Sequence, residues 1–373
     1  MPTGGIPIGR LFGISLMLHY SWFFIFALVT WALTTGYFPV AYPDWSLTTS
    51  IITSLVTSLL FFASVLAHEM MHSIVAKSSG IPVKSITLFI FGGVAQISEE
   101  PREPRVEFKI AIAGPLTSIV LGSIFIGIWL LLPTRFEALT AVAFWLGWIN
   151  LVLAGFNLLP GFPLDGGRVL RSILWWRSGN LRRATKWASN IGRGLGFVFI
   201  FIGIWLIFSG LWFNGLWLAF IGWFLINAAA RSYQQVALQH MLQGHTVREI
   251  MNRDCLTVPP DITIDKLVNE YILPSGNRCL VVATGSRMQG LVTLQNVRAF
   301  PRRQWADKTV AEVMTPLDRI KRVSPDDDLA SVLKILTEQD VNQLPVVEDD
   351  NIVGMIGRDN LLSFINVRDK LGI

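Results

Sequence analysis

Residues 51–76 read IITSLVTSLLFFASVLAHEMMHSIVA and place ionisable side chains inside an apolar run. A helix that crosses a bilayer needs about 20 apolar residues, so this run is long enough to span one. His68, Glu69 and His72 stand near its end. Histidines four residues apart on a helix point to the same side, so both imidazoles can reach one ion. The stretch therefore predicts a membrane helix that carries a polar site.

Two interpretations of the H-E-x-x-H pattern compete, a chance arrangement and a metal site. The chain has only five histidines, which makes this spacing rare by chance. A carboxyl and two imidazoles are also costly inside a bilayer unless they serve a function. We therefore predict that His68 and His72 bind a metal ion, with Glu69 placed to take a proton from water at the metal.

The composition divides the chain into two parts. Of the 373 residues, 52% are hydrophobic and 15% are charged, against about 25% charged in an ordinary soluble domain. Residues 1–231 hold 15 Lys and Arg, eight Asp and Glu, and 13 of the 14 tryptophans, whereas residues 232–373 hold 16 basic and 18 acidic residues. A single soluble globule and a disordered chain are both disfavoured, and a membrane domain followed by a soluble domain is favoured.

Six membrane spans are predicted, and the loops between them suggest an orientation. The loops 77–109 and 166–194 hold 12 basic residues, whereas the loops on the alternate side hold one. This asymmetry predicts that both termini and the soluble part are cytoplasmic, and it explains the basic balance without nucleic acid. The predicted spans are 12–36, 51–76, 110–132, 139–164, 195–211 and 214–230.

A catalytic zinc ion has three protein ligands and one open position, so a third ligand is needed. Asp165 follows the fourth span and is the only acidic residue between Glu137 and Glu249. The second and fourth spans run in the same direction, so Asp165 and His72 are expected at similar depth. The alternative is that Asp165 caps the next helix. His19 is a weaker candidate, since a hydrogen-bonded core or interfacial histidine explains it better.

Residues 83–97, VKSITLFIFGGVAQI, are rich in β-branched and aromatic residues. They predict a β-hairpin at the membrane, with Gly92-Gly93 as its turn. A re-entrant or interfacial loop is the alternative, because short apolar runs are ambiguous by periodicity.

The soluble part contains a repeat. Thr246-Val-Arg-Glu-Ile-Met251 returns as Thr309-Val-Ala-Glu-Val-Met314. Each copy mixes short strands and helices, so two small α/β modules are predicted. The predicted domains are 1–231 in the membrane, a linker at 232–245, and modules at 246–303 and 309–373.

These residues together resemble the site-2 protease family of intramembrane zinc metalloproteases. Besides the H-E-x-x-H pattern, the resemblance rests on Gly9-Arg10-Leu-Phe-Gly-Ile, Ala113-Gly114-Pro115 and Asn157-Leu-Leu-Pro-Gly-Phe-Pro-Leu-Asp165-Gly-Gly. It implies that His68, His72 and Asp165 bind one zinc ion and that Glu69 is the general base. It also implies that Asn157 contacts substrate or the oxyanion.

The repeat looks like a pair of CBS modules, which in one bacterial and archaeal branch of that family follow the protease. CBS pairs often bind adenine nucleotides through a Thr or Ser and an Asp. Here the first copy has Thr293 but Asn296, and the second has Gly357 and Asn360. Nucleotide binding at Thr293 and a role in dimerisation or docking therefore both stay open.

The resemblance implies a multi-pass protein of a bacterial or archaeal membrane. Its substrates would be single-span or signalling membrane proteins that another protease has already trimmed. Cys255 and Cys279, in the soluble part, suit a reducing compartment, and no cleavable signal peptide is apparent. Two other function classes remain as alternatives, a CBS-regulated channel or transporter and a non-catalytic scaffold.

Overall fold

A computed structural model describes residues 5–371, except 91, 98–99, 134, 243, 254–255, 277–278, 286, 339–340 and 349–350. The chain forms two compact units, residues 1–236 and 237–373. The first unit is a helical bundle with one small sheet, and the second is a mixture of short helices and strands. This agrees with the fold class expected from the sequence.

Six helices of the described chain are long and apolar enough to cross a membrane. The first is continuous from Tyr20 to Ala41, with a π-helical turn at Leu33–Tyr37 between two α-helical parts. The helices of the first unit are α1 (Tyr20–Ala32), α2 (Phe38–Ala41), α3 (Leu47–Ser78), α4 (Pro104–Leu131), α5 (Glu137–Asn157), α6 (Asp165–Ser178), α7 (Leu181–Phe208) and α8 (Trp212–Leu242).

The number of spans was predicted correctly, but several limits were wrong. The fourth span ends at Asn157 rather than at residue 164, and the fifth begins at Leu181 rather than at residue 195. Helices α7 and α8 pack closely through glycine. A Cβ built on Gly203 would lie 2.6 Å from the carbonyl oxygen of Gly215. Such close backbone contact is common between membrane helices, and it explains why these two segments are rich in glycine.

The largest correction concerns residues 12–19, which were assigned to the first span. Most of them form a strand in a four-stranded sheet, and only its partner strands reveal this, because an apolar run of this length suits either structure. The sheet consists of β1 (Gly5–Leu11), β2 (Ile14–His19), β3 (Val83–Phe89) and β4 (Gly92–Ile97) in that order.

The predicted hairpin is confirmed as the antiparallel pair β3 and β4. The expectation that Gly92 and Gly93 form its turn was wrong, because both lie within β4 and the described turn residue is Ile90. Strand β2 pairs in parallel with β3, and β1 pairs antiparallel with β2. In this order β1 and β4 are the two edge strands of the described sheet.

The second unit contains two modules that complete one another. Asn252, at the start of the first module, bridges Met355 of the second. In the same way, Thr315 after the second module's first helix pairs with Leu291 of the first. The helices are α9 (Val247–Ile250), α10 (Ile264–Lys266), α11 (Leu273–Ser275), α12 (Leu294–Arg298), α13 (Val310–Val313), α14 (Leu329–Glu338) and α15 (Arg358–Leu371). The strands are β5 (Thr257–Val258), β6 (Cys279–Thr284), β7 (Arg287–Thr293), β8 (Thr315–Pro316), β9 (Gln343–Glu348) and β10 (Asn351–Gly357).

Candidate metal centre

Three side chains from two helices meet at one point. Helix α3 carries His68 and His72 one turn apart, and Asp165 is the first residue of α6. Oδ2 of Asp165 lies 3.1 Å from Nε2 of each histidine, and the two Nε2 atoms lie 3.2 Å apart. Both histidines are 4% exposed, so this triangle of donor atoms is largely shielded from solvent.

The other ring nitrogens are held by α4. Nδ1 of His72 donates to the carbonyl oxygen of Ile110 at 2.6 Å, and Nδ1 of His68 is hydrogen-bonded to Oγ of Ser118 at 2.9 Å. These bonds orient both rings so that each Nε2 points toward Asp165. Partners of this kind typically fix the tautomer and orientation of metal-binding histidines.

Asp165 does not cap the following helix. The N-cap residue of α6 is Leu164, and no side-chain cap bond is made there. The carboxylate instead faces the histidines. Burial alone would raise the pKa of Asp165, but the adjacent imidazoles of His68 and His72 outweigh burial and hold that pKa below its usual range. Asp165 is therefore a negatively charged carboxylate whose oxygen can serve as a metal ligand.

The loop between α5 and α6 places Asp165. It packs closely on the first turn of α6, where a Cβ built on Gly167 would lie 2.5 Å from the carbonyl oxygen of Gly161. Only residues without a side chain permit such an approach. The backbone N–H of Phe162 in the same loop donates to the carbonyl oxygen of Ala188 on α7 at 3.3 Å. Helix α7 therefore supports the loop that delivers the carboxylate.

The residues fit a zinc ion. With zinc bonds of about 2.0–2.1 Å to nitrogen and oxygen, tetrahedral ligands lie about 3.3 Å from one another, close to the observed 3.1–3.2 Å. On the side of α4, Gly114 leaves room beside the donor atoms. A Cβ there would lie 2.5 Å from Nε2 of His68 and 2.6 Å from Cε1 of His72.

Glu69 is half-buried and lies against the edge strand β4. A Cβ built on Gly93 would lie 3.1 Å from Cδ of Glu69 and would overlap its Cγ. The side chain of Glu69 thus contacts β4, which is an edge strand of the described sheet. This position allows proton transfer next to a strand-like peptide.

Three further predicted residues, Asn157, His19 and Thr293, are not among the donor atoms of this triangle. Asn157 is half-buried and is the last residue of α5. His19 is the N-cap of α1, where Nδ1 accepts from the backbone N–H of Ser21 at 3.2 Å. Thr293, in the second unit, forms a capping box with Asn296 at the start of α12. Capping accounts for Thr293 and His19, and a nucleotide contact by Thr293 stays a prediction.

The sequence reasoning missed Ser118 and the carbonyl of Ile110. Ser118 stands one turn after Gly114 in the third span, so a polar residue next to the Ala-Gly-Pro motif was the available signal. Ile110 has no signal in the sequence, because its contribution is a backbone carbonyl.

Residues 56–134 and 133–203 match peptidase family M50, and residues 247–302 and 310–367 match the CBS domain. A candidate zinc metalloprotease of Synechocystis is 36% identical over 96% of this chain and 95% of its own length. The chain belongs to peptidase family M50. The match to the Synechocystis relative extends over both units of this chain.

Two further relatives are similar over nearly their whole lengths. A candidate zinc metalloprotease of Mycobacterium tuberculosis is 33% identical over 97% of this chain and 93% of its own length. A zinc metalloprotease of Methanocaldococcus jannaschii is 28% identical over 98% of each. A solved site-2 protease from Methanocaldococcus jannaschii is 30% identical, covers 62% of this chain and 95% of its own, and superposes with a TM-score of 0.42.

The M50 and CBS matches together confirm the prediction of an intramembrane metalloprotease with a tandem CBS unit. The family and the six apolar helices make the chain a multi-pass membrane protein. The alternatives of a channel, a transporter or a non-catalytic scaffold gain no support from these relatives. The family also supports zinc as the metal of this M50 peptidase.

Proposed function

We propose that His68, His72 and Asp165 hold one catalytic zinc ion per chain and that Glu69 is the general base. The reaction is hydrolysis of a peptide bond of a membrane-spanning protein, within or beside the bilayer. The observation that carries this proposal is the triangle of donor atoms 3.1–3.2 Å apart. Three ligands that leave one position open are typical of a catalytic zinc site rather than a structural one.

Held by His68, His72 and Asp165, a zinc ion would act as a Lewis acid, which would polarise the scissile carbonyl and lower the pKa of water. Glu69 accepts the proton of the attacking water and passes it to the leaving amine nitrogen. Glu69 follows His68 directly on α3, and its side chain lies against Gly93 of β4. Asp165 and the two histidines keep their donor atoms in place throughout.

The substrate is proposed to bind as an added strand at β4. A transmembrane helix hides its amides in its own hydrogen bonds, so it must unwind before cleavage. An edge strand offers new backbone partners to the extended segment. Because Glu69 lies against Gly93 of β4, a peptide paired with that edge would pass the general base.

Cross-linking tests this binding mode. A cysteine at Val94, a 38% exposed residue of β4, is expected to form a disulfide with a cysteine near the cleavage position of a bound substrate. Ile8 on the opposite edge strand β1 is 57% exposed, so a cysteine there is the control. Both are made with Cys255 and Cys279 changed to Ser. Equal cross-linking at both edges would contradict the proposal.

We further propose that substrates are single-span or signalling proteins already trimmed by another protease, and that the CBS unit is cytoplasmic. The basic loops 77–109 and 166–194 support this orientation. A membrane-impermeant thiol reagent added to intact bacterial or archaeal cells is then expected to leave Cys255 and Cys279 unlabelled, whereas inverted vesicles are labelled. Labelling in intact cells would reverse the orientation.

The CBS pair is proposed to regulate the protease, either by binding an adenine nucleotide or by dimerisation. Thr293 Oγ1 lies 2.6 Å from Asn296 Oδ1, so its hydroxyl already has a hydrogen-bond partner within the chain. Calorimetric titration of the full chain with AMP and ATP, together with its mass in solution, separates the two roles. Nucleotide binding that Thr293→Ala abolishes would favour the first.

The central test compares wild type with Glu69→Gln on a single-span substrate in vesicles. The variant is expected to lose at least about 100-fold in cleavage rate but to keep its zinc, because Glu69 is not a ligand. The control is Glu103→Gln, which removes an exposed carboxyl just before α4 and should leave the rate unchanged. Full activity of Glu69→Gln would refute the assigned role.

A further inference from the structure

A buried ion pair between Glu107 on α4 and Arg171 on α6 plays no part in the chemistry above. Glu107 is 0% exposed and Arg171 is 6% exposed. Nε of Arg171 donates to Oε1 of Glu107 at 2.6 Å, and its Nη2 contacts the same oxygen. The second oxygen, Oε2, has no partner among the described residues. The charge of this carboxylate is therefore compensated chiefly through Arg171.

The pair stands between the elements that build the metal centre. Glu107 lies one helical turn before Ile110, whose carbonyl accepts from His72. Arg171 lies six residues after Asp165 on α6. Its guanidinium also lies over the ring of Phe162, 5.1 Å from the ring centroid, in the loop that leads into Asp165. The side chain of Arg171 thus connects α6 with both α4 and the loop.

We propose that Glu107 and Arg171 are positioning residues that hold the carboxylate of Asp165 against the two histidines. The inference rests on the proposed zinc site and adds to it the ion pair that aligns α6 with α4. Apolar packing between helices is not directional, whereas two N–H groups on one carboxylate oxygen fix how far α6 can slide or rotate. A displacement of about 1 Å is a large fraction of a zinc–oxygen bond of about 2.0–2.2 Å.

Stability alone does not explain the pair well. Replacing a buried ion pair with apolar residues of similar volume is often neutral or stabilising, whereas removing one partner leaves an uncompensated buried charge. The pair is therefore better understood as a source of a specific helix arrangement. This difference between stability and alignment makes the proposal testable.

The experiment measures the zinc affinity of the full-length purified protein by competition with a chelator, together with its thermal unfolding after zinc removal. The variants are Glu107→Leu, Arg171→Met and the double variant. Arg177→Met, which removes an exposed cation from the same helix, is the control. The single variants are expected to lose both stability and zinc affinity, the latter about 10-fold or more. The double variant is expected to regain stability but to keep the weakened zinc affinity.

Wild-type zinc affinity in the double variant would overturn the positioning role and leave the proposed function intact. Failure of the wild-type protein itself to bind zinc would instead refute the proposed function. If the double variant does not fold, Arg171→Lys decides. Lysine keeps the charge but cannot make both contacts with Glu107 or lie flat over Phe162, so zinc affinity is expected to fall at least about threefold. An unchanged affinity in that variant would also overturn the role.

Discussion

Among single residues, Gly114 is the one whose replacement should obstruct the metal centre most directly. A Cβ at this position would lie 2.5 Å from Nε2 of His68, too close for the imidazole to stay in place. Gly114→Ala is therefore expected to weaken zinc binding by at least about 10-fold, measured by competition with a chelator. For Gly127 on the same helix, no described residue lies within 4 Å of a built Cβ, so Gly127→Ala should bind zinc normally. Equal affinities in both variants would contradict this assignment.

Ser118 should matter through the ring of His68. Removing its hydroxyl in Ser118→Ala deletes the 2.9 Å bond to Nδ1 and frees the ring to turn. Loss of such a partner typically costs 10–100-fold in metal affinity, and zinc titration measures it. Thr117 is the matched control, because its hydroxyl bonds within α4 to the carbonyl of Ala113 at 2.8 Å. A comparable loss in Thr117→Ala would show a general effect on the helix instead.

The proposed zinc ligands and the residues that orient them also differ in how far the sequence predicted them. His68 and His72 share a face because of their spacing on one helix, so local geometry was sufficient. Asp165 required only that two spans run in the same direction. Ser118 and the Glu107–Arg171 pair depend on the register between packed helices, which spacing along one segment does not determine.

At the scale of single elements, the short helix α13 should respond to acid. The ammonium group of Lys308 and the backbone N–H of Thr309 bond to Glu312 and hold its pKa at about 2, below the ordinary 4.5. Because the folded-state pKa is lowered, this contribution to stability is complete above pH 4.5 and is lost as the pH falls toward 2. Hydrogen–deuterium exchange of residues 309–314, corrected for the intrinsic rate, is expected to rise over that window.

Glu312→Gln separates the charge from the capping geometry. Glutamine can still accept the backbone bond of a capping box but does not titrate, so exchange in α13 should become independent of pH between 2 and 4.5. Helix α9 is an internal control, because the pKa of Glu249 is also lowered, by the backbone N–H of Thr246 and the side chain of His245. Persistent acid sensitivity of α13 in the variant would assign it to another group.

Two elements show where sequence patterns were insufficient. Residues 14–19 are apolar enough to belong to a span, and their pairing with β1 and β3 makes them a strand. Helix α6 was assigned to a loop, because residues 165–178 begin with Asp-Gly-Gly and contain three arginines. It packs against α4, which is far away in the sequence, and against α7, which follows it directly. The predicted limits of helices and strands were thus wrong where long-range packing decides between helix, strand and loop.

At the scale of the whole molecule, zinc should stabilise one unit and not the other. Its ligands come from α3 and α6, and α4 orients two of them, so binding joins segments about 100 residues apart. A ligand at 100 times its dissociation constant adds about 2.7 kcal/mol to the stability of the state that binds it. Chelation is therefore expected to speed hydrogen exchange around His72, Ser118 and Asp165, and to leave residues 237–373 unchanged. In His72→Ala the chelator should have little effect. Faster exchange in the CBS unit of wild type would contradict the expectation that zinc stabilises only the first unit.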